Sequence, residues 1–415
     1  MTKSSVALHN LRGFTILLVV AFHSSLAYLA SNPAVQTAFN APPYAWKAVP
    51  IIDNARWIGF DLYCASQYVF LMQFMFMLSG LFVWPSLVRK GGAAFLKNRM
   101  LRLGVPFLLG VYVLMPLAHY PVYRLSASDT SWSAFWAQWM ALPFWPSGQL
   151  WFLWCLLALN VAAVALYRVA PHMIEQLGRL SSIGKQHPIR YFAALLAVSA
   201  IAFMPLSMAF RPWDWTQVGP FAFQSSYVLL YPVYFFAGVG IGASGLDTGL
   251  FATSGKLPDR WLFWVASAFV GFVLWIIPTA LGRDATSAAL PGLQLFAAAG
   301  FVISSTTACF ALAATFLHRM TTPSRLLSML SENAYGIYVL HYLFVVWLQY
   351  LLLDLPLFAV IKFAVVFSGA LFMSWAAMFA GSRALLAIGL RRTSAARPSG
   401  SNSRTVSLPY PGRPS

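Results

Sequence analysis

The chain has 415 residues, of which 60% are hydrophobic and only 9% charged, with a net charge of +17. Soluble domains carry about a quarter charged residues, so a soluble enzyme is excluded and a polytopic integral membrane protein is expected. The basic residues sit in short loops and a terminal stretch, which is the pattern of topology and of contact with anionic membrane lipids, so nucleic acid is not an expected partner.

Apolar runs of spanning length fall at roughly 14–30, 66–88, 103–118, 149–167, 191–209, 222–243, 260–281, 293–317, 335–353 and 357–380. They predict an all-α bundle of about ten transmembrane helices, with Pro205, Pro232 and Pro278 marking kinks or boundaries. Twenty-one lysines and arginines fall in one set of alternating loops and the C-terminal stretch, against five in the other set (Lys47, Arg56, Arg124, Arg211 and Arg283), with Lys362 in or near the last helix. The richer set faces the cytoplasm, and both termini with it. Residues 1–390 form the membrane domain. Residues 391–415, rich in Ser, Pro and Arg, read as a disordered cytoplasmic tail.

The first run, Leu11 to Ala30, carries two ionisable residues that a plain anchor would lack, Arg12 and His23. Eleven residues on a helix bring them to nearly the same face, about 16 Å apart along the axis. A histidine at that depth by default faces the bundle interior and marks a pathway or a reaction centre. The plainer reading is an interfacial arginine and a packed histidine. Cys64, Cys155 and Cys309 are odd in number and far apart, so neither a disulfide framework nor a metal site is indicated.

The outer loops have their own character. Residues 31–65 are rich in proline, and 120–150 hold Trp132, Trp136, Trp139 and Trp145, with Trp151 following. An interfacial aromatic belt is the ordinary explanation, and a platform for stacking a sugar ring the sharper one.

Residues 97–107 read KNRMLRLGVPF. Arg99 and Arg102, three apart, project together from a helix at the boundary of an apolar run. Guanidinium groups bind phosphate bidentately, so with Lys97 they are candidates to hold a phosphorylated ligand, or else lipid head groups. Residues 331–347 read SENAYGIYVLHYLFVVW. Ser331 and Asn333 suggest a helix start. Tyr335, Tyr338 and His341 recur every three residues, a polar stripe with a second membrane-embedded histidine. No nucleophile elbow, phosphate-cradling glycine loop, zinc spacing or dinucleotide fingerprint is evident. The only glutamates, Glu175 and Glu332, lie in cytoplasmic loops.

Five segments together resemble the membrane acyltransferase-3 family. They are Arg12 with ten residues before His23, FMFMLSG at 74–80, Arg99-x-x-Arg102, LWFLWCLLAL at 150–159 and YGIYVLH at 335–341. They span the membrane domain in the family's order, and the opening HNLRGFTILLVVAFHSSLAY is most similar to the branch containing glucan biosynthesis protein C. The resemblance implies a membrane-bound O-acyltransferase of the bacterial inner membrane. Such enzymes move an acyl group, acetyl or succinyl, from cytoplasmic acyl-CoA, the co-substrate, to a hydroxyl of a glycan or glycolipid. No metal is implied. The family's functional residues carry over to Arg12, His23, Arg99 and Arg102. His23 is then the expected general base, since a neutral imidazole can take a hydroxyl proton. Arg99, Arg102 and Lys97 would hold the CoA phosphates, and Arg12 would contact the cofactor or developing negative charge. Tyr335, Tyr338 and His341 would be supporting or acceptor contacts. A succinyl donor would want one more cation, for which Arg56, Arg124 and Lys362 are candidates. The rival expectation is a proton-coupled exporter of a glycan or lipid, without acyl transfer.

Overall fold

The computed structural model describes residues 2–36, 38–282 and 289–387; Arg283 and the expected tail, 391–415, lie outside them. Among the described residues ten helices are long and apolar enough to cross a membrane. In chain order these spans are Lys3–Tyr28, Ile58–Lys90, Gly92–Arg124, Gly148–Val169, Pro188–Ala209, Ser225–Ser244, Trp261–Leu281, Leu290–Arg319, Arg325–Leu351 and Ala359–Gly381. The expected all-α membrane bundle is the fold.

Several spans begin before their apolar runs, because capping side chains set helix starts as much as hydropathy does. Thr2 Oγ1 accepts from Ser5 N at 3.2 Å and starts the first span there. Ser324 Oγ accepts from Leu327 N at 3.4 Å and starts the ninth. Ser331 and Asn333, read as the start of that helix, therefore lie well inside it, and Glu332 is helical rather than in a loop. Pro205 and Pro278 lie inside their helices without ending them, and Pro232 sits in the first turn of Leu230–Ser244, where its missing N–H is not needed. The third span contains two π-helical turns, Met100–Gly104 and Gly110–Leu114. Such turns insert extra backbone into a helix and are common at functional sites.

Shorter elements lie between spans. Pro171–Gln186 is a helix where charge counting implied a loop; Ile174, Gly178, Ser181 and Gly184 form its buried face. It lies against the sixth span so closely that a Cβ on Gly240 would stand 2.7 Å from Leu177 Cβ. Trp132–Met140 is a second short helix, capped by Ser131. Trp215–Val218 and Phe221–Gln224 form an antiparallel hairpin, with Trp215 opposite Gln224 and the turn made by Gly219 at φ 56°. The sixth span consequently starts at Ser225, not 222.

The first, second, sixth, eighth and ninth spans are inner, whereas the seventh and tenth are peripheral and lean on the eighth and ninth. In a bilayer, helices associate through close backbone packing, which small residues permit. A Cβ on Gly238 or Gly242 would lie 2.0 Å from the carbonyl oxygens of Met77 and Leu81, and one on Gly80 2.2 Å from Phe235 O. The glycine that ends FMFMLSG thus seals the second span against the sixth. Gly13 makes the equivalent approach to the ninth span, 2.2 Å from Leu327 O. That contact fixes the first span, and with it His23, against the helix that carries His341.

Candidate active site

The ninth span is the spine of the site. Ser331 Oγ lies 3.2 Å from His9 Nδ1 on the first span. Further along, the Tyr335 hydroxyl donates to Arg102 O on the third span, and the Tyr338 hydroxyl donates to Gln149 O at the start of the fourth. His341 Nε2 stands 3.3 Å from His23 Nδ1. Gln349 Nε2 donates to His23 O at 3.1 Å and Ser24 O at 3.3 Å. A helical residue every three positions falls back by about 60° per step. The stripe therefore winds, and its three members address three different spans. Both tyrosine hydroxyls are occupied by backbone carbonyls, which makes them braces between helices.

The hydrogen bonds of the two imidazoles determine their tautomers. His341 is fully buried, and its Nδ1 lies 2.7 Å from Tyr338 O and 3.1 Å from Ile337 O. Carbonyl oxygens only accept, so this nitrogen carries the proton, and Nε2 of the neutral ring presents a lone pair. His23 Nδ1 lies between that lone pair and Val19 O, 2.9 Å away, so it too carries a proton. The proton-accepting lone pair of His23 is then on Nε2. Among the described residues Nε2 has no hydrogen-bond partner, and the side chain is partly exposed.

The structure adds residues that the sequence reading did not single out. Tyr342, on the ninth span, sets its ring edge against His23 at 5.6 Å between centroids, and lies 5.9 Å from His119 on the third span. His119 is buried, with Nδ1 on Met115 O at 2.9 Å and its ring 5.2 Å from Trp46 and 5.7 Å from Trp139. Phe39 stacks on Trp46 at 4.8 Å. Trp139 is only 1% exposed. It serves neither as a membrane-interface belt residue nor as an open stacking surface, but packs in an aromatic layer that closes the bundle above His119. His119 stands just beyond the apolar run drawn to 118, and that is why it escaped notice.

Gln73 and Gln149 are buried, and among the described residues neither side-chain amide atom of either has a hydrogen-bond partner. Leaving such a group unpaired costs about 1–3 kcal/mol.

The basic residues gather at one end. Arg12 follows His9 by one turn, and Tyr335 follows Ser331 by one turn, so the contacts of His9 and Arg102 place Arg12, Arg99 and Arg102 at the same end of the bundle. Arg12, Lys97 and Arg102 are exposed, and the Arg99 guanidinium lies over the Phe95 ring at 4.9 Å. Among the described residues none of the four pairs with a carboxylate. The one ion pair there, Lys362 Nζ to Asp53 Oδ2 at 2.7 Å, is buried near the opposite end. Lys362 also donates to Leu353 O at 3.0 Å, while Arg56 donates to the carbonyls of Asp53, Asn32 and Pro33. Of the three candidate cations for a succinyl group, Arg124 alone has no hydrogen-bond acceptor among the described residues, its guanidinium lying 5.7 Å from the Tyr350 ring centroid.

Ten spans around the paired imidazoles of His23 and His341, with an arginine cluster at one end that has no carboxylate partner among the described residues, define a polytopic membrane protein. The chain belongs to the acyltransferase-3 family: that family's acyltransferase domain matches residues 5–379, from the first span into the tenth. It is therefore a membrane acyltransferase. Searches of curated proteins and of solved structures found no match.

Proposed function

We propose that the protein is an O-acyltransferase that moves an acetyl or succinyl group from acyl-CoA to a hydroxyl of a glycan or glycolipid of the cell envelope. The observation that carries this reading is the state of His23. Both neighbours of Nδ1 are acceptors, so Nε2 is left as a base inside the bundle. The acceptor hydroxyl gives its proton to Nε2 as its oxygen attacks the thioester carbonyl carbon. The carbon–sulfur bond then breaks, and the departing thiolate takes the proton from His23. His341 keeps accepting from Nδ1 while the ring is charged, which steadies the imidazolium as the carboxylate does in a hydrolase triad.

Arg99, Arg102 and Lys97 hold the CoA phosphates. Support for this comes from the lack of carboxylate partners among the described residues, which leaves their charge available. Arg12, about three turns from His23 on the same helix, contacts the cofactor or the developing negative charge. The protein lies in a bacterial inner membrane, and the unequal distribution of lysine and arginine supports a cytoplasmic position for this end and for both termini.

The test uses membranes supplied with acetyl-CoA or succinyl-CoA labelled in the acyl group. Label enters carbohydrate with the natural chain. His23→Ala lowers turnover by about 10²–10⁴, and Arg99→Ala with Arg102→Ala raises KM for acyl-CoA at nearly unchanged kcat. Normal turnover by a well-expressed His23→Ala protein removes the base. Passage of a glycan or lipid across the membrane with no label transferred would make the protein an exporter.

A further inference from the structure

We propose that the Gln149 side-chain amide is a catalytic hydrogen-bond donor to the acyl carbonyl oxygen, a role that rests on the acyl-transfer reading above. Two contacts fix its place. The Tyr338 hydroxyl donates to Gln149 O. At the preceding residue, Gly148 has φ 49°, and a Cβ there would lie 2.6 Å from Met115 Sδ and 3.5 Å from Tyr342 Cε1. Glycine suits that conformation and avoids crowding Met115 Sδ, and it leaves the chain in van der Waals contact with Tyr342. Tyr338 and Tyr342 flank His341 on the ninth span, and the rings of both His341 and Tyr342 lie against His23, at 5.0 Å and 5.6 Å. Gln149 is thereby pinned beside the same two helical turns that hold the base.

Its amide is the unusual part. The residue is 6% exposed, and neither Nε2 nor Oε1 meets a partner. A buried amide is normally hydrogen-bonded, and one without a partner on an anchored backbone is ready for a group that arrives with the substrate. The reaction supplies such a group. As the acceptor oxygen bonds to the carbonyl carbon and its proton passes to His23 Nε2, negative charge builds on the carbonyl oxygen. An N–H donor fixed in a dry site stabilises that charge more than it does the neutral thioester. When the carbon–sulfur bond breaks, the carbonyl re-forms and the amide is released.

Gln149→Leu and Gln149→Met, each close to glutamine in size and neither able to donate, test the assignment in the full-length protein with labelled acetyl-CoA and succinyl-CoA. Loss of one such donor lowers kcat by about 10²–10³, with KM for acyl-CoA nearly constant. Thermal stability of Gln149→Leu stays the same or rises, because an unpaired buried group has been removed. A structural glutamine would behave in the opposite way: stability falls and kcat per folded molecule is unchanged. Either that result, or turnover by Gln149→Leu near the natural level, overturns the proposal. Loss of activity in His23→Ala alongside an active Gln149→Leu sinks the donor and leaves acyl transfer standing. Absence of transfer by the natural chain with both donors sinks the two together.

Discussion

His23 illustrates how far a single side chain can be read. Its depth in an apolar run marks it as unusual, but depth does not say which nitrogen is the base. The answer comes from Val19 O and His341 Nε2, the two acceptors around Nδ1. His341 is accordingly a positioning residue. Val19 O alone still favours the same tautomer, so His341→Ala should cost less than His23→Ala. We expect kcat to fall about 10–100-fold with KM for acyl-CoA unchanged, since the ring loses one of two groups that orient it and share its charge. His341→Gln, whose amide oxygen can accept, should recover part of the loss. Steady-state kinetics of the two variants check this, and an unchanged kcat in His341→Ala would remove the role. The sequence shows His341 through its stripe with Tyr335 and Tyr338. It does not show His119 or Gln149, because a histidine at the edge of an apolar run and a glutamine in a turn become notable only once burial and missing partners are known.

Between elements, long-range polar pairs do what hydropathy cannot express. Lys362 is conspicuous in the sequence as a charge in the last apolar run. Its partner, Asp53, is 309 residues away in a proline-rich loop, and nothing in either segment points to the other. In the structure the pair is dry, and Asp53 is held on both sides: its N donates to Ala27 O at 3.0 Å and its Oδ1 accepts from Ala55 N at 2.8 Å. The loop after the first span is thus locked to the tenth. Removing one partner strands the other charge out of water, so Lys362→Met and Asp53→Leu should each destabilise the fold by about 3–5 kcal/mol, and the double variant should recover most of that. Heating the detergent-solubilised protein with a thiol-reactive dye gives the readout, since Cys64, Cys155 and Cys309 are buried until it unfolds. Single variants that melt with the natural chain would show that the pair contributes nothing. The same limit explains why Pro171–Gln186 was read as a loop. Its buried face is largely glycine and serine, which carry little hydropathy, and the close approach of Gly240 on the sixth span to Leu177 reveals that it packs.

At the scale of the molecule, the bundle has two unlike ends, and the chemistry depends on which one meets the cytosol. Ten spans were legible because each is a continuous apolar run, and hydropathy is a property of a segment by itself. Orientation rests on lysine and arginine placement alone, so it needs its own test. Ser254 is exposed beside the N-terminus, where Thr253 N donates to Ser4 Oγ at 3.2 Å. Ser128 is exposed past the end of the third span, in the loop whose Asp129 O accepts from the Tyr123 hydroxyl. The native thiols are buried, so a new cysteine at either position can be labelled against a low background. Ser128→Cys should react with a membrane-impermeant maleimide in intact spheroplasts, and Ser254→Cys only after lysis. This outcome places Arg12, Arg99 and Arg102 where cytosolic acyl-CoA can reach them, and the aromatic layer over His119 on the side of an extracytoplasmic acceptor. The reverse pattern would leave the arginines facing a compartment without acyl-CoA, and the phosphate-binding role would go with them.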